Sequence, residues 1–265
     1  MDKLDLLGKD YYSHESAIRY WSISQYKRFR ECEARALSEL QGSWEATCSN
    51  TALLVGNYVH SFFESQEAHE EFKKLNGAEM ISSRGTTKGQ LKKEYVVAEQ
   101  MIEALKADSN FTALYQGEKE VAITGLLGNI EFKGKIDCLN IERGYFVDIK
   151  TTKAGIDDLI WTNNGKVRWF EAYGYILQMG AYKNMLEATY NKPFEPIIYA
   201  VTKETPSDTR AIRIQNIDAM QSELNDLAQE IERLDRVKKG KEKPVACGHC
   251  DYCRANMLTT RVEVY

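Results

Sequence analysis

Two β-rich runs joined by a tight turn, in GKIDCLNIERGYFVDIKTTK (residues 134–153), constrain this chain more than any other feature. CLNIE and YFVDIK read as strands with Arg143-Gly144 as a two-residue turn, which sets Glu142 opposite Tyr145, Asn140 opposite Val147 and Asp137 opposite Lys150. Side chains alternate along a strand with period two, so Asp137, Asp148 and Lys150 share one face while Val147 and Ile149 turn into the core. A slip of one residue would send Asp137 to the other face.

Written as a pattern, this is G-x-x-D followed by D-x-K. Two carboxylates can hold a hard divalent cation that polarises a phosphate and lowers the pKa of an attacking water. The lysine can orient or help deprotonate the nucleophile, or stabilise the extra negative charge on phosphorus. The set suits phosphodiester hydrolysis. Upstream, VGNYVHSFFE reads as a helix in which Gly56 would admit a close backbone neighbour and His60 and Glu64 lie one turn apart, with His60 a candidate nitrogen ligand. Downstream, WFEAYGYILQMGAYKNMLE reads as an amphipathic helix with Glu171, Tyr175, Gln178 and Tyr182 in one polar-aromatic stripe. Gln178 could hydrogen-bond a phosphate or the water, and Tyr175 and Tyr182 could support the lysine or the DNA backbone.

The ordered set of Gly56-x3-His60, an acid on a leading strand (Glu118 or Glu120), Gly134-x-x-Asp137, Asp148-x-Lys150 and Gln178-x3-Tyr182 resembles the RecB-like branch of the PD-(D/E)xK nucleases. Within that branch it is similar to the RecE-type (exonuclease VIII-like) exonucleases of phages and prophages. The resemblance implies that His60, Asp137, Asp148 and the Ile149 carbonyl bind Mg2+ or Mn2+, with Glu120 a further candidate ligand. It implies a catalytic role for Lys150, with Gln178 and Tyr182 beside it. Asp replaces the more frequent Glu before x-Lys, and Ile-Asp replaces Pro-Asp.

Six cysteines in 265 residues, behind a start (MDKLDLLGKD) that carries no apolar signal, point to a reducing bacterial cytoplasm rather than a disulfide scaffold. Cys247, Cys250 and Cys253 form C-x2-C-x2-C, one ligand short of a tetrahedral site, and Cys32 is the natural fourth. The AddB nuclease domain and the CRISPR-adaptation nucleases hold a 4Fe-4S cluster on one N-terminal and three C-terminal cysteines, so the resemblance implies such a cluster here. Zinc, with His249 as an alternative ligand, is the rival. Either would tie the first helix to the C-terminal segment as a structural clip. Cys48 and Cys138 read as buried or incidental, Cys138 pointing away from the acidic face.

A net charge of -4 is not that of a generic nucleic-acid binder, so DNA contact must be local. Candidate patches are Arg84, Lys88, Lys92 and Lys93, then Lys166 and Arg168, then RVKKGKEK before the cysteines. No run approaches the ~20 apolar residues of a membrane span. Helices are expected over 22–40, 51–75, 90–114, 168–188 and 217–238, and strands over 118–126, 130–141, 145–152, 196–203 and 211–215. Residues 76–89 and 153–167 read as loops. This predicts the mixed α/β class, with a restriction-endonuclease-like core at 117–215, a helical part at 1–116 and a C-terminal helix with the cysteines at 216–265, in one nuclease domain.

No Walker A sequence accompanies the nuclease motifs. The resemblance then implies an ATP-independent exonuclease on double-stranded DNA ends, 5′ to 3′, leaving 3′ single strands for a phage single-strand annealing protein, in a homo-oligomeric ring. The alternative is a nuclease of the CRISPR-adaptation or AddB type, acting on single-stranded ends or beside a helicase.

Overall fold

The computed structural model describes residues 9–45, 51–163, 165–256 and 264. In the N-terminal part, helices α1 (His14–Arg19), α2 (Ile23–Glu31), α3 (Glu33–Leu40), α4 (Thr51–Glu64), α5 (Gln66–Met80), α6 (Lys93–Ala107) and α7 (Ser109–Leu114) precede the strands. Strands β1 (Glu118–Leu127), β2 (Ile130–Asn140) and β3 (Tyr145–Thr152) lead to a small hairpin, β4 (Leu159–Thr162) and β5 (Gly165–Arg168). Then come α8 (Trp169–Ala172), α9 (Tyr175–Tyr190), β6 (Glu195–Thr202), β7 (Thr209–Arg213), α10 (Ile217–Lys238) and α11 (Asp251–Ala255). The five long strands form one sheet in the order β1-β2-β3-β6-β7, parallel only between β3 and β6.

The sheet is mixed because β3 and β6 are joined by a crossover through α9, whereas its other neighbours are joined by short connections. Alternation distributes each strand between two cores. Phe146, Ile198 and Ala200 face a layer built from α2, α9 and α10, while Val147, Ile149, Ile197, Tyr199 and Val201 face α4, α6 and α7. Both layers are needed, since β6 is apolar on both sides, while β3 is apolar on one and carries Phe146, Asp148 and Lys150 on the other.

Three long predicted helices are each broken in two, and each break has a chemical cause. At Cys32 the backbone is extended (φ -166, ψ 107), ending α2 and starting α3. At Ser65 the hydroxyl caps α5 by accepting from Ala68 N. At Asp108 the carboxylate caps α7 and also accepts from the Tyr199 and Thr209 hydroxyls at 2.6 and 2.7 Å. A fourth break, at left-handed Gly174 (φ 66), splits the predicted helix 168–188. The expected loop at 76–89 is helical as far as Met80, and the expected loop at 153–167 contains the β4–β5 hairpin. The helix predicted at 217–238 has those bounds.

The β2–β3 register also differs from the expectation. Asn140 pairs with Tyr145, Leu139 with Phe146 and Cys138 with Val147, so residues 141–144 form the turn and continuation sets Asp137 opposite Asp148 rather than Lys150. The Asn140 side chain selects the longer turn by accepting from Arg143 N at 2.9 Å. The shift moves the pairing by two residues, an even number, so the faces are preserved. Beyond Cys138 the two strands part, and β2 takes Trp21 as a neighbour instead, through Trp21 N to Glu131 O (2.9 Å) and Lys133 N to Trp21 O (2.7 Å).

Candidate active site

Where β2 leaves β3, the Ile149 N–H has lost its strand partner. The carboxylate of Asp137 replaces it, Oδ2 accepting from Ile149 N at 2.6 Å. The N–H and C=O of one strand residue point to the same edge, so the Ile149 carbonyl is turned into this same gap. His60 of α4 comes from one layer, its Nδ1 3.2 Å from Asp137 Oδ2. Gln178 of α9 comes from the other, donating Nε2 to Asp148 Oδ1 at 2.8 Å. The parting of two strands makes the site.

Asp148 is 2% exposed, and among the described residues its Oδ2 meets only the Lys150 ammonium, at 2.5 Å but in poor hydrogen-bonding alignment. Burial pushes its carboxyl up to about 6, helped by the neighbouring Asp137 charge and opposed by Lys150 and His60. Asp137 goes the other way: burial favours the neutral acid, but the His60 charge and hydrogen bond, Lys150 and the Ile149 N–H together hold it below the usual carboxylate range. For His60, burial disfavours the imidazolium, yet the Asp137 carboxylate outweighs it and lifts the ring to about 8. Burial likewise opposes the Lys150 charge, and the Asp148 carboxylate overcomes it, raising the ammonium above its ordinary value. Lys150 also sits 4.7 Å from the Tyr175 ring centroid. An ammonium held in this way can stabilise negative charge.

Of the two candidate acids on the leading strand, Glu120 is the one at the site, while Glu118 lies exposed opposite Leu139. Glu120 has φ 53, and its carboxylate lies 2.8 Å from Lys135 Nζ. Burial first, and the Asp137 charge second, raise it to about 7 against the pull of Lys135. Ligand atoms of His60, Glu120 and Asp137 lie within 4.8 Å of one another. Asp148 is not part of that group and is instead engaged by Lys150 and Gln178. Imidazole and carboxylate donors converging with a buried carboxylate oxygen that lacks a well-aligned hydrogen bond fit a hard divalent ion such as Mg2+ or Mn2+.

Tyr182 is buried, its ring packed on Gly134 and tilted against Phe146. Glu171 leaves the predicted stripe, because the break at Gly174 turns it back to accept from Arg168 N. Gly56 does not serve a close backbone approach: an added Cβ would meet only Thr151 Oγ1, at an ordinary 3.7 Å. Of the basic patches, RVKKGKEK is largely consumed internally: Lys238 is buried and donates to Tyr20 O, Arg236 pairs with Glu242 and Lys239 with Asp235. Arg84, Lys88 and Lys93 are exposed.

Three contributors escaped the sequence reading. Lys135 lies two residues before Asp137, a spacing that alternation could have flagged. Lys27 of α2 shares the Tyr175 ring with Lys150, 5.2 Å from its centroid, and the Tyr115 hydroxyl donates to the Asp137 carbonyl at 3.1 Å. Neither of these two has a local signal, since folding brings them in from other layers.

Away from the sheet, the Sγ atoms of Cys32, Cys247, Cys250 and Cys253 all lie within 4.8 Å of one another. Cys32 and Cys247 are each close to Cys253, at 3.6 and 3.8 Å. Backbone N–H groups of residues 247, 250 and 253 point at Sγ of Cys32, Cys247 and Cys250. The break at Cys32 is what presents the first thiol. His249 lies outside the group, its Nδ1 3.0 Å from the Cys247 carbonyl oxygen. Cys138 is buried in the α4–α6 layer, and Cys48 lies outside the described residues.

Residues 22–256 match the family model described as "PDDEXK-like domain of unknown function" (DUF3799). The structure is similar, over 100% of this chain and 96% of the other, to the crystal structure of a "Putative exonuclease" from Eubacterium rectale, with 32% sequence identity and a TM-score of 0.85. A second solved structure, of SSO0001, covers 91% of this chain and 96% of its own at 14% identity, and its TM-score of 0.32 carries no argument. None of the curated proteins matches.

Proposed function

We propose, from the premise that this chain belongs to the family of PDDEXK-like domains, that it is a metal-dependent, ATP-independent exonuclease acting on double-stranded DNA ends. The observation that carries this reading is the Lys150 ammonium, 2.5 Å from the buried Asp148 carboxylate beside the His60–Asp137 pair. The similar structure from Eubacterium rectale, described as an exonuclease, supports exonucleolytic action. Polarity, 5′ to 3′, and delivery of 3′ strands to a single-strand annealing protein rest on the resemblance to RecE-type enzymes, as do a ring assembly and a bacterial cytoplasmic setting.

His60, Asp137, Glu120 and the Ile149 carbonyl would hold Mg2+ or Mn2+, with Asp148 completing the set. A bound ion there supplies polarisation of a phosphoryl oxygen and a lower pKa for a coordinated water. Gln178 fixes the Asp148 carboxylate, and the Ile149 N–H fixes that of Asp137, so neither must reorganise when charge develops. Lys150 places a full positive charge where negative charge accumulates on the phosphoryl oxygens.

The test is digestion of linear duplex DNA labelled at its 5′ or 3′ end, with Mg2+ or Mn2+ and without ATP, comparing wild type with Asp148→Ala. Mononucleotides released from the 5′ end by wild type alone are the expected result. No cleavage of duplex ends by wild type would overturn the reading. The AddB or CRISPR-adaptation alternative is favoured by one observation, a four-thiol group drawn from one N-terminal and three C-terminal cysteines. Preference for single-stranded ends, or a stable helicase partner, would select it.

For the thiol group we propose zinc in place of the expected 4Fe-4S cluster. A tetrahedron with Zn–S bonds of about 2.3 Å has edges of about 3.8 Å, close to the 3.6 and 3.8 Å separations of Cys32 and Cys247 from Cys253, and all four sulfurs lie within 4.8 Å of one another. A cube of four irons would spread its thiolates wider. Metal analysis of anaerobically purified protein should give one zinc per chain, and iron with visible absorbance would reverse the assignment.

A further inference from the structure

Between β3, which carries Asp148 and Lys150, and α9, which carries Tyr175 and Gln178, the chain inserts the β4–β5 hairpin. Its register pairs Leu159 with Arg168, Ile160 with Val167 and Trp161 with Lys166. Paired residues share a face and successive pairs alternate. Ile160 and Val167 are half-buried, and Ile160 packs against the core. The opposite face therefore carries Leu159, Trp161, Lys166 and Arg168, all of them exposed.

Trp161 is 74% exposed, whereas Trp21 and Trp169 are 0% and 1% exposed. Its ring has Lys166 Nζ 5.0 Å from the centroid. Among the described residues no carboxylate lies within ion-pair distance of Lys166, while Arg168 is paired with Asp157, which also binds Arg210. An exposed aromatic face with an unpaired ammonium beside it is the combination that holds a nucleobase and its phosphate. A second copy of this chain is the less suitable occupant, because an unpaired lysine beside the exposed ring is the residue type depleted from the centre of homodimer interfaces.

The hairpin is also tied to the site. Trp169, directly after β5, is held by Nε1 donating to Ile156 O at 3.2 Å, and its ring meets that of Tyr175 with centroids 6.0 Å apart. Tyr175 in turn carries the Lys150 ammonium. We propose that the exposed face of the β4–β5 hairpin binds an unpaired nucleotide of the DNA strand presented to the active site, its base stacked on Trp161 and its phosphate on Lys166. The choice of DNA as the ligand rests on the nuclease reading.

The test uses the full-length protein, with Ca2+ in place of the catalytic ion, and a fluorescein-labelled oligothymidylate whose binding is followed by anisotropy. Trp161→Ala should weaken binding by about 5- to 100-fold, and Trp161→Phe, which keeps a stacking ring, by no more than about threefold. Lys166→Ala should reduce the salt slope by about one. In Mn2+, Trp161→Ala should raise KM for duplex ends while changing kcat less than about twofold. Oligothymidylate binding that is absent in wild type or indifferent to Trp161 overturns the assignment, as does sedimentation showing that wild type self-associates through this face and Trp161→Ala does not. Trp161-dependent binding without cleavage by wild type would instead sink the nuclease reading and leave the hairpin assignment standing.

Discussion

Gly134→Ala tests whether the glycine of the G-x-x-D pattern exists to seat Tyr182. A Cβ at this position would lie 2.5 Å from Tyr182 Cε1, 3.0 Å from Cδ1 and 3.1 Å from Cζ. Ordinary carbon contacts are about 3.5–4.0 Å, so the ring must retreat by about 1 Å. It has little room, being 8% exposed and backed by Phe146. Overpacking of this kind costs about 1–3 kcal/mol, against a backbone preference that would favour alanine in a strand by about 0.5–1 kcal/mol. Tyr182 is one helical turn from Gln178, so the displacement is passed to the group that fixes Asp148. Misplacement by about 1 Å can cost about a hundredfold in rate, so cleavage should fall further than stability. The assay is urea denaturation and duplex-end cleavage for wild type, Gly134→Ala, Tyr182→Leu and the double variant. Gly134→Ala should cost much less in the Tyr182→Leu background. Stability within about 0.5 kcal/mol of wild type, or strict additivity in the double variant, would refute the reasoning.

Lys150→Ala should lower kcat by about 10²–10³ while metal binding is largely kept, measured by single-turnover cleavage and calorimetric Mn2+ titration; lost metal affinity would make the lysine structural instead. In the metal-free protein, His60 is held above its ordinary 6.5, at about 8, so the stability it contributes is complete below about pH 6.5 and lost as pH rises through 8. Asp148 and Glu120, raised to about 6 and about 7, act in the same direction, whereas Lys238 and Lys133, lowered by burial to about 7 and about 8, oppose them, so the site's own share, read as the melting-temperature difference between wild type and His60→Gln, should decline from about pH 5 to about pH 8.5 and recover on adding Mn2+. A flat profile would contradict the charge arrangement. Cys250→Ser should release the bound metal and lower the melting temperature, and an unchanged metal content would remove Cys250 from the ligand set.

The sequence by itself determined which side chains share a face. Period-two alternation is a property of the strand backbone, and it kept Asp137, Asp148 and Lys150 together even though the turn is two residues longer than expected. It also marked three closely spaced thiols, whose proximity follows from chain connectivity. Only the tertiary structure decided what meets them. The parting of β2 from β3, beyond which β2 pairs with Trp21, opens the gap into which His60 and Gln178 reach from opposite layers. The helix break at Cys32 likewise depends on contacts more than two hundred positions away, among them Cys247 N to Cys32 Sγ. Apolar periodicity runs through Cys32 and Gly174, although glycine itself is a poor helix former. Packing and capping override it where a side chain is needed elsewhere, and those are the places at which local pattern carries no information.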